Sequence, residues 1–150
     1  MIKKFAIMIL ILICAYCENA YAQELSFEKY LSSFDYEARI DMKIESAALV
    51  KGLKEGKIQL IDIRFKEEFE AWRMGFAINI PLNELPARIG ELAKDKIIVA
   101  ACPHKDRGIL AMAYLRTKGF HSKYLVDGLI GLAEYLRGDR AREFIQQLNK

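Results

Sequence analysis

The chain has 150 residues, of which 53% are hydrophobic and 29% are charged. This length fits one domain, and so much apolar sequence excludes disordered and low-complexity proteins. The formal net charge of +3 is small and spread along the chain, so the charge gives no support to a nucleic-acid binder.

The first 22 residues have the pattern of a secretory signal peptide. Lys3 and Lys4 precede 13 uncharged, mostly apolar residues (5–17), and Ala20 and Ala22 complete an A-x-A cleavage site. The apolar run is shorter than the roughly 20 residues that a transmembrane helix needs. We therefore expect cleavage after Ala22, a periplasmic or secreted protein, and no stable membrane insertion of the mature chain. An uncleaved membrane anchor is the alternative.

Cleavage after Ala22 would leave Cys102 as the one cysteine of residues 23–150, because Cys14 and Cys17 lie in the signal peptide. A single thiol cannot form an internal disulfide. In an exported protein such a cysteine is either reactive or paired between chains. An inert buried cysteine is the structural alternative. The residues around Cys102 must decide between these interpretations.

Residues 23–41 are polar and aromatic and predict an N-terminal extension, either a short amphipathic helix or an arm packed on the domain. The domain itself is predicted over 42–150, where short apolar runs alternate with helical patterns. The predicted strands are 42–44, 58–63, 77–80, 96–101 and 122–126. The predicted helices are 47–54, 66–73, 83–92, 108–118, 129–136 and 141–148. This alternation with short connections favours an α/β fold with a mostly parallel, buried central sheet.

The segment most informative about chemistry is the loop between the strand 96–101 and the helix predicted from Gly108. Its residues are Cys102, Pro103, His104, Lys105, Asp106 and Arg107. In open α/β sheets, ligands bind beyond the carboxyl ends of the strands, and a helix N-terminus adds backbone N–H donors and partial positive charge. With Lys105 and Arg107 close by, the loop predicts a reactive thiolate in an anion-binding cradle. The charge of Asp106 makes this cradle less basic.

The number of residues between the cysteine and the arginine separates two chemistries. Cysteine-based phosphatases use a C-x₅-R loop that encircles phosphate, whereas residues 102–107 form a C-x₄-R loop. The shorter loop suits a single sulfur atom carried on the cysteine as a persulfide. A phosphatase or arsenate-reductase-like enzyme remains an alternative, although the short loop disfavours it.

Several motifs occur in an order that is typical of one family. They are LIDIR at 60–64, EF at 68–69, AINIPL at 77–82, the C-x₄-R loop at 102–107 and YLVDGL at 124–129. In these motifs the chain resembles the single-domain rhodanese sulfurtransferases over about residues 42–138. The resemblance implies a rhodanese-like α/β fold with a mostly parallel central sheet and helices on both faces. It also implies that Cys102 is the catalytic nucleophile.

The resemblance further implies a mechanism without a metal or an organic cofactor. The Cys102 thiolate would take sulfur from a small anionic donor such as thiosulfate or polysulfide, and a thiol or cyanide would accept it. Backbone amides of residues 103–107 would bind the substrate and stabilise the persulfide. An ion pair between Asp62 and Arg64, at the end of the neighbouring strand, would support the active loop.

Three positions in and near the site depart from the usual family pattern. Lys105 stands where the family often has glycine, so a positive φ at this position would strain the backbone. Gly108 replaces a frequent serine or threonine, and Asp127 replaces the first glycine of a Gly-Gly pair. A non-catalytic sulfur-carrier or protein-binding module of the same fold is therefore the main alternative to an enzyme.

Overall fold

The fold is built on a five-stranded sheet in which every neighbouring pair of strands is parallel. The computed structural model describes residues 25–148, so the predicted signal peptide lies outside the described residues. The strand order is β1-β5-β4-β2-β3. The strands are β1 (Lys43–Ile44), β2 (Ile58–Asp62), β3 (Ile78–Asn79), β4 (Ile97–Ala101) and β5 (Ser122–Leu125). All five lie within or at the predicted strand segments.

Helices connect the strands, as parallel pairing requires. They are α1 (Phe27–Ser32), α2 (Tyr36–Asp41), α3 (Ser46–Lys54), α4 (Lys66–Ala71), α5 (Leu85–Arg88), α6 (Asp106–Thr117), α7 (Gly128–Tyr135) and α8 (Asp139–Leu148). A short 3₁₀ turn (Ile89–Glu91) follows α5. Over the part of the chain that the structure describes, no helix combines the length and the apolar character needed to cross a bilayer.

The sheet separates two hydrophobic cores. On one face, Leu60 and Val99 pack with side chains from α3, α7 and α8. On the other face, Ile61 and Ile98 pack with side chains from α5 and α6, and α1 lies against α6. Alternate residues of β2 and β4 thus point to opposite cores, as expected of strands buried on both sides. The predicted α/β architecture with helices on both faces is confirmed.

The N-terminal extension forms two short helices instead of the single helix or arm that was predicted. Ser26 begins α1 by accepting a hydrogen bond from the backbone N–H of Lys29, and Asp35 begins α2 by accepting one from Ala38. Such side-chain caps satisfy backbone donors that a helix leaves free at its start. Tyr30 of α1 is buried against α6, with its hydroxyl 4.0 Å from the Met112 sulfur.

Several predicted helix boundaries are wrong. The helix predicted over 66–73 ends at Ala71, and the helix predicted over 141–148 begins at Asp139. The helix predicted over 83–92 is reduced to α5 and the 3₁₀ turn, which contains Gly90, a residue of low helix propensity. The helix predicted from Gly108 begins two residues earlier, at Asp106. An acidic side chain in the first turn interacts favourably with the helix dipole, which explains the earlier start. Arg107 therefore lies in helix α6 and not in the loop.

Candidate active site

The loop that carries Cys102 lies at the carboxyl edge of the central strand. β4 ends at Ala101, residues 102–105 form the loop, and α6 begins at Asp106. Since β4 lies between β5 and β2, the loop is flanked by the ends of two neighbouring strands. Cys102 itself is fully buried and belongs to the core beneath α6. The sequence predicted the position of this thiol, whereas its complete burial was expected only in the alternative of an inert buried cysteine.

The charged group in contact with the thiol is a carboxylate. The Cys102 Sγ donates a hydrogen bond to Asp106 Oδ1 at 3.5 Å. This hydrogen bond is the main reason why the pKa of the Asp106 carboxyl is lowered below its usual value. Hydrogen bonds from the backbone N–H groups of Arg107 and of Asp106 itself lower it further, as does the charge of Arg107. The first turn of α6 therefore already holds an anion supplied by the chain.

Arg107 is held by a partner on another helix. Its guanidinium donates to both carboxylate oxygens of Glu68 in α4, at 2.6 and 2.8 Å. This bidentate geometry is the strong form of an arginine–carboxylate pair. Because of the Arg107 hydrogen bonds above all, the pKa of Glu68 falls to about 2, and that of Arg107 is raised. The EF motif at 68–69 gave no sign that Glu68 binds Arg107.

The Asp62–Arg64 pair lies at the end of strand β2 and in the turn that follows it, and both side chains are completely buried. Arg64 Nη2 lies 2.6 Å from Asp62 Oδ2, and Arg64 Nε donates to both oxygens of the same carboxylate. The guanidinium also donates to the backbone carbonyls of Glu68 and Trp72, and it stacks on the Trp72 ring at 4.1 Å. These contacts fix helix α4, which carries Glu68. Any support for the Cys102 loop from this pair is thus indirect, through Glu68 and Arg107.

The turn that begins α7 holds the loop from the opposite side. Leu129 N–H donates to the Cys102 carbonyl at 2.8 Å, and Ile130 N–H donates to the Pro103 carbonyl at 3.3 Å. Gly128 has a φ of +63°, and a Cβ at this position would overlap the carbonyl oxygens of Pro103 and His104. A glycine is therefore required here both for its conformation and for the close approach of two backbone segments.

The remaining loop residues lie towards solvent. Pro103 is half-buried, while the side chains of His104 and Lys105 are exposed. Lys105 has a φ of −147°, so its backbone is not left-handed. The condition under which a lysine in place of glycine would strain the backbone is therefore not met. Lys105, Asp106, Arg107 and Glu68 together carry charges that cancel, so the site is less cationic than the loop sequence indicated.

Comparisons with known proteins agree with this architecture. Residues 45–133 match the family model described as "Rhodanese-like domain". A sulfurtransferase of Allochromatium vinosum is 30% identical over 79 residues, covering 52% of this chain and 74% of the relative. An HTH-type transcriptional regulator of Mycobacterium tuberculosis is 37% identical over 93 residues, covering 58% of this chain and 39% of the relative. This chain therefore spans well under half of the regulator's length.

A solved structure has a similar fold. The reduced CoADR-RHD of Bacillus anthracis superposes with a TM-score of 0.58 at 30% sequence identity. The match covers 63% of this chain and 17% of the larger protein. A unit of this fold thus also occurs within a much longer protein.

Proposed function

Because the chain belongs to the rhodanese-like domain family, we propose that it transfers sulfane sulfur through a persulfide on Cys102. The observation that carries this proposal is the position of Cys102. It directly follows the central parallel strand and lies four residues before the first residue of a 12-residue helix. Backbone N–H groups and the dipole at such a place favour a thiolate and a negatively charged persulfide.

The reaction is a double displacement. The Cys102 thiolate attacks the outer sulfur of a donor such as thiosulfate or polysulfide, and the rest of the donor leaves with the bonding electrons. A thiol or cyanide then attacks the outer sulfur of the persulfide and releases the Cys102 thiolate. A covalent intermediate of this kind gives ping-pong kinetics. The residues proposed to surround the transferred sulfur are Pro103, His104, Lys105, Asp106 and Arg107.

Loading of the cysteine tests this proposal directly. The purified protein is incubated with polysulfide or with thiosulfate, its intact mass is measured, and the measurement is repeated after addition of cyanide. We expect one added sulfur that maps to Cys102 by peptide analysis and leaves as thiocyanate. The Cys102→Ser variant, which keeps the size of the side chain, must not load. Sulfur transfer that survives in this variant would exclude Cys102 as the carrier.

A non-catalytic sulfur carrier is the second candidate, and one observation favours it. The thiol is completely buried and hydrogen-bonded to Asp106, so a small donor in solvent has no direct access to it in this structure. A carrier would load Cys102 with one sulfur and pass it only to a partner protein. A carrier would therefore gain the mass of one sulfur on incubation with the donor, but it would show negligible steady-state formation of thiocyanate with cyanide.

We also propose that the protein acts in the periplasm or is secreted, on the strength of the signal-peptide pattern in residues 1–22. Fractionation of expressing cells, followed by intact mass measurement, tests this. Export predicts a mature chain that begins at Gln23. A chain that keeps Met1 and stays in the cytoplasm would contradict it.

A further inference from the structure

We propose that Asp106 determines which sulfur donor Cys102 accepts, disfavouring the thiosulfate dianion and leaving sulfane sulfur carried on a thiol as the preferred donor. This inference rests on the proposed function and narrows its donor. The chemical class in question is the persulfide R–S–SH, which carries at most one negative charge. Thiosulfate carries two.

The first argument is the position of the carboxylate. Asp106 Oδ1 lies 3.5 Å from the Cys102 sulfur, within the distance of a sulfur hydrogen bond. The residue Asp106 is exposed, whereas Cys102 is completely buried. The carboxylate is thus in direct contact with the sulfur that must react. A donor that reaches Cys102 comes within a few ångströms of this charge.

The second argument concerns the backbone donors of the helix. Hydrogen bonds from the N–H groups of Asp106 and Arg107 help to keep the Asp106 carboxyl ionised at neutral pH, since they lower its pKa. These are the first amides of α6, and an external anion would need the same donors. The Asp106 carboxylate would therefore compete with the sulfonate of thiosulfate for these donors.

The third argument concerns the neighbouring cations. Both oxygens of Glu68 bind Arg107, and Asp62 binds Arg64, so each guanidinium is already neutralised by a carboxylate. Lys105 is the remaining cation of the loop, and Asp106 balances its charge. Two like charges a few ångströms apart repel each other near a protein surface, and a dianion feels this repulsion more strongly than a monoanion.

A thiol persulfide reacts at this site without added charge or an external oxidant. The overall step is Cys102–SH + R–S–SH giving Cys102–S–SH + R–SH. A bond forms between the Cys102 sulfur and the outer sulfur, and the bond between the two donor sulfurs breaks. The electron pair of the broken bond leaves with R–S, which takes up the proton lost by the Cys102 thiol. Sulfur and charge are both balanced.

The test compares two donors in three proteins: the wild type, Asp106→Asn and Asp95→Asn. Asparagine keeps the shape of the side chain and removes its charge. Asp95 is exposed in the turn before β4, at the end of the strand that is far from Cys102. Asp95→Asn therefore removes the same charge at a distance from the thiol. The donors are thiosulfate and the persulfide of 2-mercaptoethanol, with cyanide as acceptor and thiocyanate as the measured product.

In the wild type we expect a larger kcat/KM for the persulfide than for thiosulfate. Asp106→Asn should raise the ratio of kcat/KM for thiosulfate to kcat/KM for the persulfide by about tenfold or more, through relief of charge repulsion. Asp95→Asn should leave both values at the wild-type level. In the wild type alone, added salt should raise kcat/KM for thiosulfate by screening the repulsion.

Two results would overturn the inference and leave the proposed function intact. One is an unchanged ratio of the two donors in Asp106→Asn. The other is a thiosulfate kcat/KM that falls with salt in the wild type, since this indicates net attraction; it needs no variant and so does not depend on folding. If neither donor loads Cys102 in any of the three proteins, the proposed function fails as well.

Discussion

Glu68 connects two parts of the site that are distant in the sequence. Its side chain binds Arg107 of α6, and its backbone carbonyl accepts a hydrogen bond from Arg64. The buried Asp62–Arg64 pair therefore positions the helix that positions Arg107. A series of hydrogen bonds between charged residues thus runs from the end of β2 to the start of α6. We infer that this series of contacts fixes the direction of the Arg107 guanidinium.

Acid unfolding measures the contribution of the Glu68–Arg107 pair. The pKa of Glu68 is about 2 in the folded protein, against an ordinary value of 4.5. A lowered pKa gives a stabilisation that is complete above about pH 4.5 and is lost as the pH falls through about 2. Glu68→Gln should therefore lower the free energy of unfolding at neutral pH by about 1 kcal/mol or less, because the pair is partly exposed. This difference from the wild type should vanish near pH 2.

Glu67→Gln is the control for that prediction, since it removes the same charge from the same turn of α4 and leaves the Arg107 pair intact. Urea unfolding curves for the three proteins between pH 7 and pH 2 give the comparison. A Glu68→Gln difference that stays constant over this range would contradict the pKa of about 2.

The buried pair itself gives a prediction about stability. Arg64→Met leaves the Asp62 carboxylate in a site with no exposed surface and without its partner. Loss of one member of a buried pair costs about 3–5 kcal/mol, because the other charge stays desolvated. The double variant Asp62→Asn with Arg64→Met should recover part of this loss. Urea unfolding of both variants checks it, and a single variant within about 1 kcal/mol of the wild type would be inconsistent with a buried ion pair.

Part of the site could be predicted from the sequence and part could not. Cys102 and Arg107 lie in one short segment, so their spacing was enough to relate them. Glu68 is 39 residues from Arg107, and the sequence around either residue gives no indication that the two form a pair. The contact between Asp106 and the thiol depends on a side-chain rotamer at the start of α6. Such contacts follow from packing, which no local pattern encodes.

At the level of secondary structure, the turn into α7 acts on the site through backbone contacts alone. Gly128→Ala should strain a left-handed backbone and press a methyl group against the Pro103 and His104 carbonyls. We expect a loss of stability of about 2–4 kcal/mol and a displaced loop, with sulfur transfer reduced by about a hundredfold.

Gly138→Ala is a matched control for this prediction. Gly138 has a φ of +56°, similar to the +63° of Gly128, but no atom lies within 4 Å of a Cβ placed on it. It should therefore show the cost of the backbone conformation alone, about 1–2 kcal/mol, with normal sulfur transfer. Thermal unfolding and thiocyanate formation are measured in both variants. Equal effects on transfer would show that contact with the loop does not matter.

The strands were more predictable than the helix ends. Short runs of three to six residues, most of them apolar, marked every strand, because strands buried on both faces tolerate few polar residues. Helix ends depend on a balance of local preferences that is small in energy. Helix α6 begins at Asp106, two residues before the predicted start. The end of the helix predicted over 83–92 is a 3₁₀ turn that contains Gly90.

For the molecule as a whole, the hydrophobic core extends beyond the family match of residues 45–133. Phe144 of α8 is almost completely buried and packs edge-on against Phe76, with 4.9 Å between the ring centroids. Before the match begins, the Asp41 carboxylate accepts hydrogen bonds from Arg116 and Lys123. Burial raises the pKa of Asp41, but these two cations outweigh burial and hold it at about 2.

Removal of the Phe144 ring tests whether α8 belongs to the cooperative unit. Phe144→Ala should lower the free energy of unfolding by about 3–5 kcal/mol, the usual cost of deleting a buried aromatic side chain. Ile145→Ala is the control, because Ile145 is 44% exposed on the same helix, and it should cost less than about 1 kcal/mol. Chemical denaturation gives both values. A small effect of Phe144→Ala would mean that α8 unfolds separately.

The order of the strands has a consequence for how the chain folds. β1 pairs with β5, and the paired residues Lys43 and Tyr124 are about 80 positions apart. No sheet that includes β1 can therefore exist until the ribosome has released most of the chain. Contacts between such distant segments slow folding, because a long loop must close before they form. Of the five strands, β1 is thus the one whose pairing must wait for the last to be synthesised.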